Sequence, residues 1–193
     1  NLERSAAATP PTPVEAAYLL AFVGGNEHPE DSARWEQLRA SAFARYNEYV
    51  DAQGPNVRPF QRVLPWIVGY AVGASSEERL KSAYAALPAY EPLPPPGMSN
   101  DDDLVIGRVL AASGGRERGL RHLRSVTRSC LVLENPLAVA RALRVTGEIH
   151  EAANEDDAAR KAYEELLARW GDAWPRSKSA DAAREGTARL AGK

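Results

Sequence analysis

Cysteine is almost missing from this chain. Cys130 is the only one in 193 residues, which excludes an internal disulfide and any multi-cysteine zinc site. A lone cysteine among helical residues reads as a small buried hydrophobe. Lysine is also scarce, four against twenty arginines, and with the abundant alanine this bias points to a GC-rich bacterial genome. Arginine clusters must be discounted accordingly. Charge of one sign is lacking too: a net charge of -2 gives no general pull toward nucleic acid or anionic lipid. Long apolar runs are absent, since the longest, residues 16–23 and 66–74, fall well short of the ~20 that cross a bilayer. Strand signals are nearly absent as well, with no period-two apolar run and no Asn-Gly or Asp-Gly hairpin turn.

What fills the chain instead is helical periodicity. Residues 1–13 read as a flexible Ala/Pro/Thr tether, and because the chain opens on Asn1 rather than Met the natural polypeptide is expected to begin upstream. A first helix is expected over 14–23, stopped by Gly24-Gly25. A second spans about 31–52, with Trp35, Leu38, Ala42, Tyr46 and Tyr49 on one face. The third, about 60–72, contains Pro65, which should kink it or open a shorter helix. Ser75 with Glu78 forms a capping box for a fourth, whose Leu80, Ala83, Tyr84 and Leu87 face inward. Residues 88–97 are too proline-rich for helix, so 89–99 read as an extended strap.

Beyond the strap the chain resembles itself. Gly107, Gly114, Gly119 and Leu123 recur forty residues later as Gly147, Asn154, Ala159 and Tyr163. Such a period marks stacked helix pairs, with small residues where the two helices of a pair touch. Two units follow, 100–135 and 137–171. In the second, a helix over 137–153 is apolar on two sides, one row being Ala140, Leu143, Gly147 and His150 and the other Ala138, Ala142, Val145, Ile149 and Ala153. A helix of that kind is sandwiched. Its partner over 155–170 has one stripe ending at Trp170, and 179–190 read as a polar capping helix. The expected fold is all-α: a right-handed α-solenoid of about four helical hairpins over 14–193, with 14–88 forming the N-terminal hairpins.

The small-residue pattern resembles the tetratricopeptide (TPR) consensus, with a spacing longer than the usual ~34 residues. The stretch WIVGYAVGASSEERLKSAYAALPAYEPLP from Trp66, then Ile106 to Leu110, Ser129-Cys130 and LARWGDAWPRSKSADAA from Leu167, is similar to the C-terminal helical region of myxobacterial eukaryote-like serine/threonine protein kinases. That resemblance covers about two thirds of the chain, residues 66–191, and implies a regulatory or interaction region accompanying a kinase. The kinase signatures themselves are absent: no Gly-rich phosphate loop, no HRD, no DFG.

No motif speaks for catalysis, a metal or a cofactor. Asn100 to Asp103 start like a calcium loop but lack its later glycine and glutamate, and read as acids at a helix N-terminus. His150-Glu151 start like HExxH, yet the second histidine is missing, and His28 and His122 are remote. No Gly-x-Ser-x-Gly elbow occurs. The candidate site is therefore a surface. Arg141, Arg144, Glu148 and Glu151 step along the side of their helix left by both apolar rows, and with Arg108 they are expected to face a concave groove that holds a protein or peptide. Arg116, Arg118, Arg121, Arg124 and Arg128 form a second basic stripe, which without interleaved aromatics does not read as a nucleic-acid site. Trp35, Trp66, Trp170 and Trp174 are candidate anchors where exposed. The expected function is a non-catalytic interaction module, with an accessory subunit clamping a larger assembly as the alternative. The cytoplasm is favoured slightly over the periplasm, and oligomeric state is open.

Overall fold

The computed structural model describes residues 32–54, 59–72, 74, 76–97, 99–129 and 135–192. The tether, the helix expected over 14–23, Gly24-Gly25, His28, Ser75, Cys130 and the side chains of Trp35, Leu38 and Ala42 lie outside the described set. Among the described residues the chain is all-helical, without a strand. It divides into two compact units, Asn1–Pro95 and Pro96–Lys193.

The first unit holds α1 (Ser32–Gln53), α2 (Pro59–Trp66) and α3 (Glu77–Ala86). Pro65 lies inside α2 one residue before its end. Lacking an N–H, it cannot complete the α ladder, and the backbone widens at once into a π turn, Ile67–Ala71, closed by Val72 N donating to Ile67 O at 2.9 Å. Gly69 is required there because a Cβ would come within 2.4 Å of the Phe43 ring. That ring meets Tyr70 edge-on at 5.6 Å. Trp66 is fully buried, and its indole Nε1 donates to Ala83 O of α3 at 2.7 Å, so its one polar atom is satisfied.

Three expectations are corrected in this unit. Tyr84 does not face inward but is 37% exposed, because an amphipathic ring keeps its hydroxyl in water; Tyr49, on the predicted face of α1, is 43% exposed, and its hydroxyl accepts from Gln61 Nε2. The cap of α3 is Ser76, whose side chain accepts from Arg79 N, one residue beyond the expected Ser75. The proline-rich stretch also begins in a 3-10 turn, Leu87–Tyr90, because Pro88 sits in the first turn where a missing N–H leaves no bond unmade.

The second unit holds α4 (Asn100–Ala112), α5 (Arg116–Arg128), α6 (Pro136–Ala152), α7 (Asp156–Trp170) and α8 (Lys178–Ala191). Side-chain caps open three of them: Ser99 for α4, Asn135 for α6 and Ser177 for α8, each accepting the N–H three residues on. Asn135 also donates to Asp101, which ties the start of α6 to the start of α4. Turns after α4 and α6 use positive φ, at Gly114 (+100°) and at Asn154 (+57°). Glycine and asparagine are the residues that enter this region most readily. The residues stand forty positions apart.

Packing joins α4 to α5, α6 to α7, α6 to both α4 and α5, and α8 to α6 and α7. Close approach explains the glycines. A Cβ on Gly107 would meet Leu123 at 2.8 Å, and one on Gly119 would meet Gly107 O at 2.5 Å. A Cβ on Gly147 would strike the Tyr163 ring at 2.3 Å, and one on Gly186 of α8 would strike the same ring at 2.4 Å. Tyr163 is therefore held in a slot between two glycines. Ala153, placed in an apolar row by periodicity, is exposed because α6 has already ended and Ala153 is its C-cap.

Candidate functional site

Four of the five predicted groove residues come together. Arg108 projects from α4, and Arg141, Arg144 and Glu148 from α6, all half-buried. Arg144 Nη1 donates to Glu148 Oε1 at 2.5 Å. Burial lowers the pKa of the Arg108 guanidinium, Arg144 and Arg141 lower it further, and Glu148 works against them. An incoming carboxylate would relieve the repulsion that Arg144 and Arg141 exert on Arg108.

Glu151 is turned elsewhere. Its carboxylate accepts from Tyr163 Oη at 2.9 Å and from Arg189 Nε and Nη2 at 2.8 and 3.0 Å. Burial and the Glu151 carboxylate push the Tyr163 hydroxyl well above its ordinary pKa. Glu151 thus joins α6 to α7 and α8, one turn away from the arginine cluster.

Two polar knots were not foreseen. Asp103, read as one of three N-terminal acids, is buried and accepts from Gly97 N at 2.7 Å, from Ser125 Oγ at 2.8 Å and pairs with His122 Nδ1 at 2.6 Å. Serine, histidine and aspartate meet here, but the serine donates to the same carboxylate as the imidazole instead of facing the imidazole's other nitrogen. His122 and Asp103 are both buried. The arrangement satisfies buried polar atoms and is not that of a nucleophile relay. The second knot joins Arg116, His150 and Glu155: His150 Nδ1 lies 2.5 Å from Glu155 Oε2 and 3.2 Å from Arg116 Nη2, and Arg116 also pairs with Glu155. Each knot contains links between helices, Asp103 to His122 and Arg116 to His150, that join residues 19 and 34 positions apart, a separation that no local pattern encodes.

The tryptophans separate by exposure. Trp66 is in the core, Trp170 is half-buried under the Arg169 guanidinium at 5.9 Å, and Trp174, between α7 and α8, is 94% exposed. On the basic stripe of α5, Arg116 is committed to Glu155, Arg118 is half-buried, and Arg121, Arg124 and Arg128 are exposed. Among the described residues no group of three or more His, Cys, Asp or Glu could hold a metal ion, and no helix is long and apolar enough to cross a membrane. Comparison of the chain with protein-family models, with curated proteins and with solved structures finds no match in any of the three.

Proposed function

We propose that the second unit is a TPR-like interaction module, part of a right-handed solenoid, and that its α4–α6 face grips an acidic segment of a partner protein. One observation carries this reading. Gly107 lies against Leu123 and Gly147 against Tyr163, so two first helices meet two second helices through residues that correspond at a spacing of forty. Further support comes from the positive φ at Gly114 and Asn154 and from α8 lying on both α6 and α7 as a terminal cap would. Arg108, Arg141 and Arg144 then stand on adjacent first helices, the side such arrays use for binding. Association with a bacterial signalling kinase rests on the sequence resemblance alone.

The test is capture of the partner by the full chain, with cross-linking and mass spectrometry to locate the contact. Capture should fail for Arg108→Glu combined with Arg144→Glu, while the circular dichroism spectrum stays unchanged. Undiminished capture by that variant, or cross-links confined to other surfaces, would remove the assignment. The accessory-subunit reading draws on Trp174 and Leu137, which are 94% and 66% exposed and offer apolar contacts to a second chain. It predicts stable association in sedimentation equilibrium that is lost with Trp174→Ala; a monodisperse monomer at micromolar concentration counts against it.

A further inference from the structure

A second surface lies on the other side of α6. Helices α5 and α7 border a cavity of about 260 Å³ whose floor is α6. Each helix offers a stripe at helical spacing: Leu120, Arg124, Thr127 and Arg128 from α5, then Leu143, Thr146 and His150 from α6. Ala158, Lys161, Ala162 and Glu165 complete the wall from α7. The apolar part of the lining is Leu120, Leu143, Ala158 and Ala162, and the rim is cationic. Arg124, Arg128 and Lys161 are exposed and form no ion pair among the described residues. Glu165, the one carboxylate on the lining, is already paired with Arg169 at 2.6 Å.

Size and chemistry decide the occupant. The volume is below the ~300–1,000 Å³ of small-molecule and cofactor sites and suits one or two bulky side chains. The apolar lining rewards burying such side chains, and three cations at the rim without an ion pair among the described residues reward carboxylates beside them. Nucleic acid fits less well: the one ring on the lining, His150, is tied to Glu155 and Arg116, so no aromatic surface is offered for bases to stack on. We propose that this groove docks a short acidic segment of a partner protein, one that inserts a bulky apolar side chain between α5 and α7 and sets its carboxylates against Arg124, Arg128 and Lys161. Helices α5, α6 and α7 border the groove whatever repeat family they belong to, so failure here leaves the α4–α6 face untouched.

The experiment selects a random peptide library, about 12 residues or roughly three helical turns long, on the full chain. Selected peptides should be rich in Asp and Glu around a Leu, Ile, Phe or Trp. One enriched peptide, labelled with fluorescein and followed by anisotropy, should bind about tenfold or more weakly to Arg124→Glu combined with Lys161→Glu. It should bind undiminished to Lys178→Glu, an exposed charge reversal away from the lining. A second variant, Ala158→Leu, fills the apolar wall on α7 without touching charge and should also weaken binding. Enrichment of peptides without acidic residues, equal affinity for the charge-reversed chain, or equally strong displacement by a single-stranded oligonucleotide would each overturn the proposal.

Discussion

At the residue scale the second unit turns on one aromatic ring. Tyr163 is buried between Gly147 of α6 and Gly186 of α8, at distances that leave no room for a Cβ on either side. Gly147→Ala should therefore cost roughly 1 to 3 kcal/mol from overpacking, and Gly147→Leu more, whereas Glu148→Ala, which loses only a half-exposed i,i+4 pair, should cost less than about 0.5 kcal/mol. The cause is checked by a double-mutant cycle in urea: in a Tyr163→Ala background the cost of Gly147→Ala should fall toward zero, because the new methyl enters space the ring has left. Equal costs in both backgrounds would sink the slot. Asp102 supplies a pH prediction. Burial and the neighbouring Asp101 and Asp103 outweigh its bond to Ser99 and push its pKa up to about 6 from 3.8. The folded state thus holds this proton more tightly than the unfolded state, so the stability it contributes is complete below about pH 3.8 and is lost as pH rises through about 6. Asp102→Asn should leave the urea midpoint nearly unchanged at pH 3.5 and raise it at pH 7. The small residues at 107, 119 and 147 were legible in the sequence because glycine inside a helix has few other reasons. The burial of Asp103 was not: three aspartates in a row look alike until the partner helix places His122 and Ser125 beside only the third.

Elements were easier to read than their ends. Periodicity located α1, α6 and α7 to within a residue or two, because burial of one helical face repeats over several turns. Pro65 was expected to kink its helix or open a shorter one and the run from Pro88 to exclude helix, yet the effect of proline depends on its position. Pro65, late in α2, yields a π turn, while Pro88, in the first turn of Leu87–Tyr90, breaks nothing. The capping role expected for residues 179–190 has a consequence of its own. Helix α8 buries Ala180, Ala183, Gly186 and Leu190 and covers one side of Tyr163. Ending the chain after Ala173 would expose that ring and the residues beneath it. The shortened chain should melt well below the full one and bind a hydrophobic dye, whereas Ser177→Ala, which removes one cap bond to Ala180 N, should cost only about 1 kcal/mol. If truncation and the cap variant melt alike, α8 is a passenger rather than a lid on the core.

At the scale of the whole molecule, the all-helical character of the described residues was legible because nothing in the sequence alternates with period two, and the absence of strand signals constrains every segment at once. The charged surface was legible only in outline. Spacing put Arg141, Arg144, Glu148 and Glu151 on one side of a helix, but the direction of each side chain depends on what the neighbouring helices offer, and Arg189 with the Tyr163 hydroxyl draws Glu151 away. The groove between α5 and α7 was missed for a related reason: its three stripes lie on three helices, and the sequence read one of them, the arginines of α5, in isolation. The division at Pro95 and Pro96 leads to a last expectation. From Pro96 onward the chain has its own caps at Ser99, Asn135 and Ser177, its own polar knots, and a core running from Leu104 to Leu190. A fragment of residues 96–193 is large enough to bury such a core. It should fold alone and unfold in one cooperative transition, with circular dichroism and tryptophan fluorescence from Trp170 and Trp174 giving coincident midpoints. A broad, non-cooperative melt of the fragment would mean that these five helices depend on the preceding unit, and that neither binding face can be assigned to the second unit by itself.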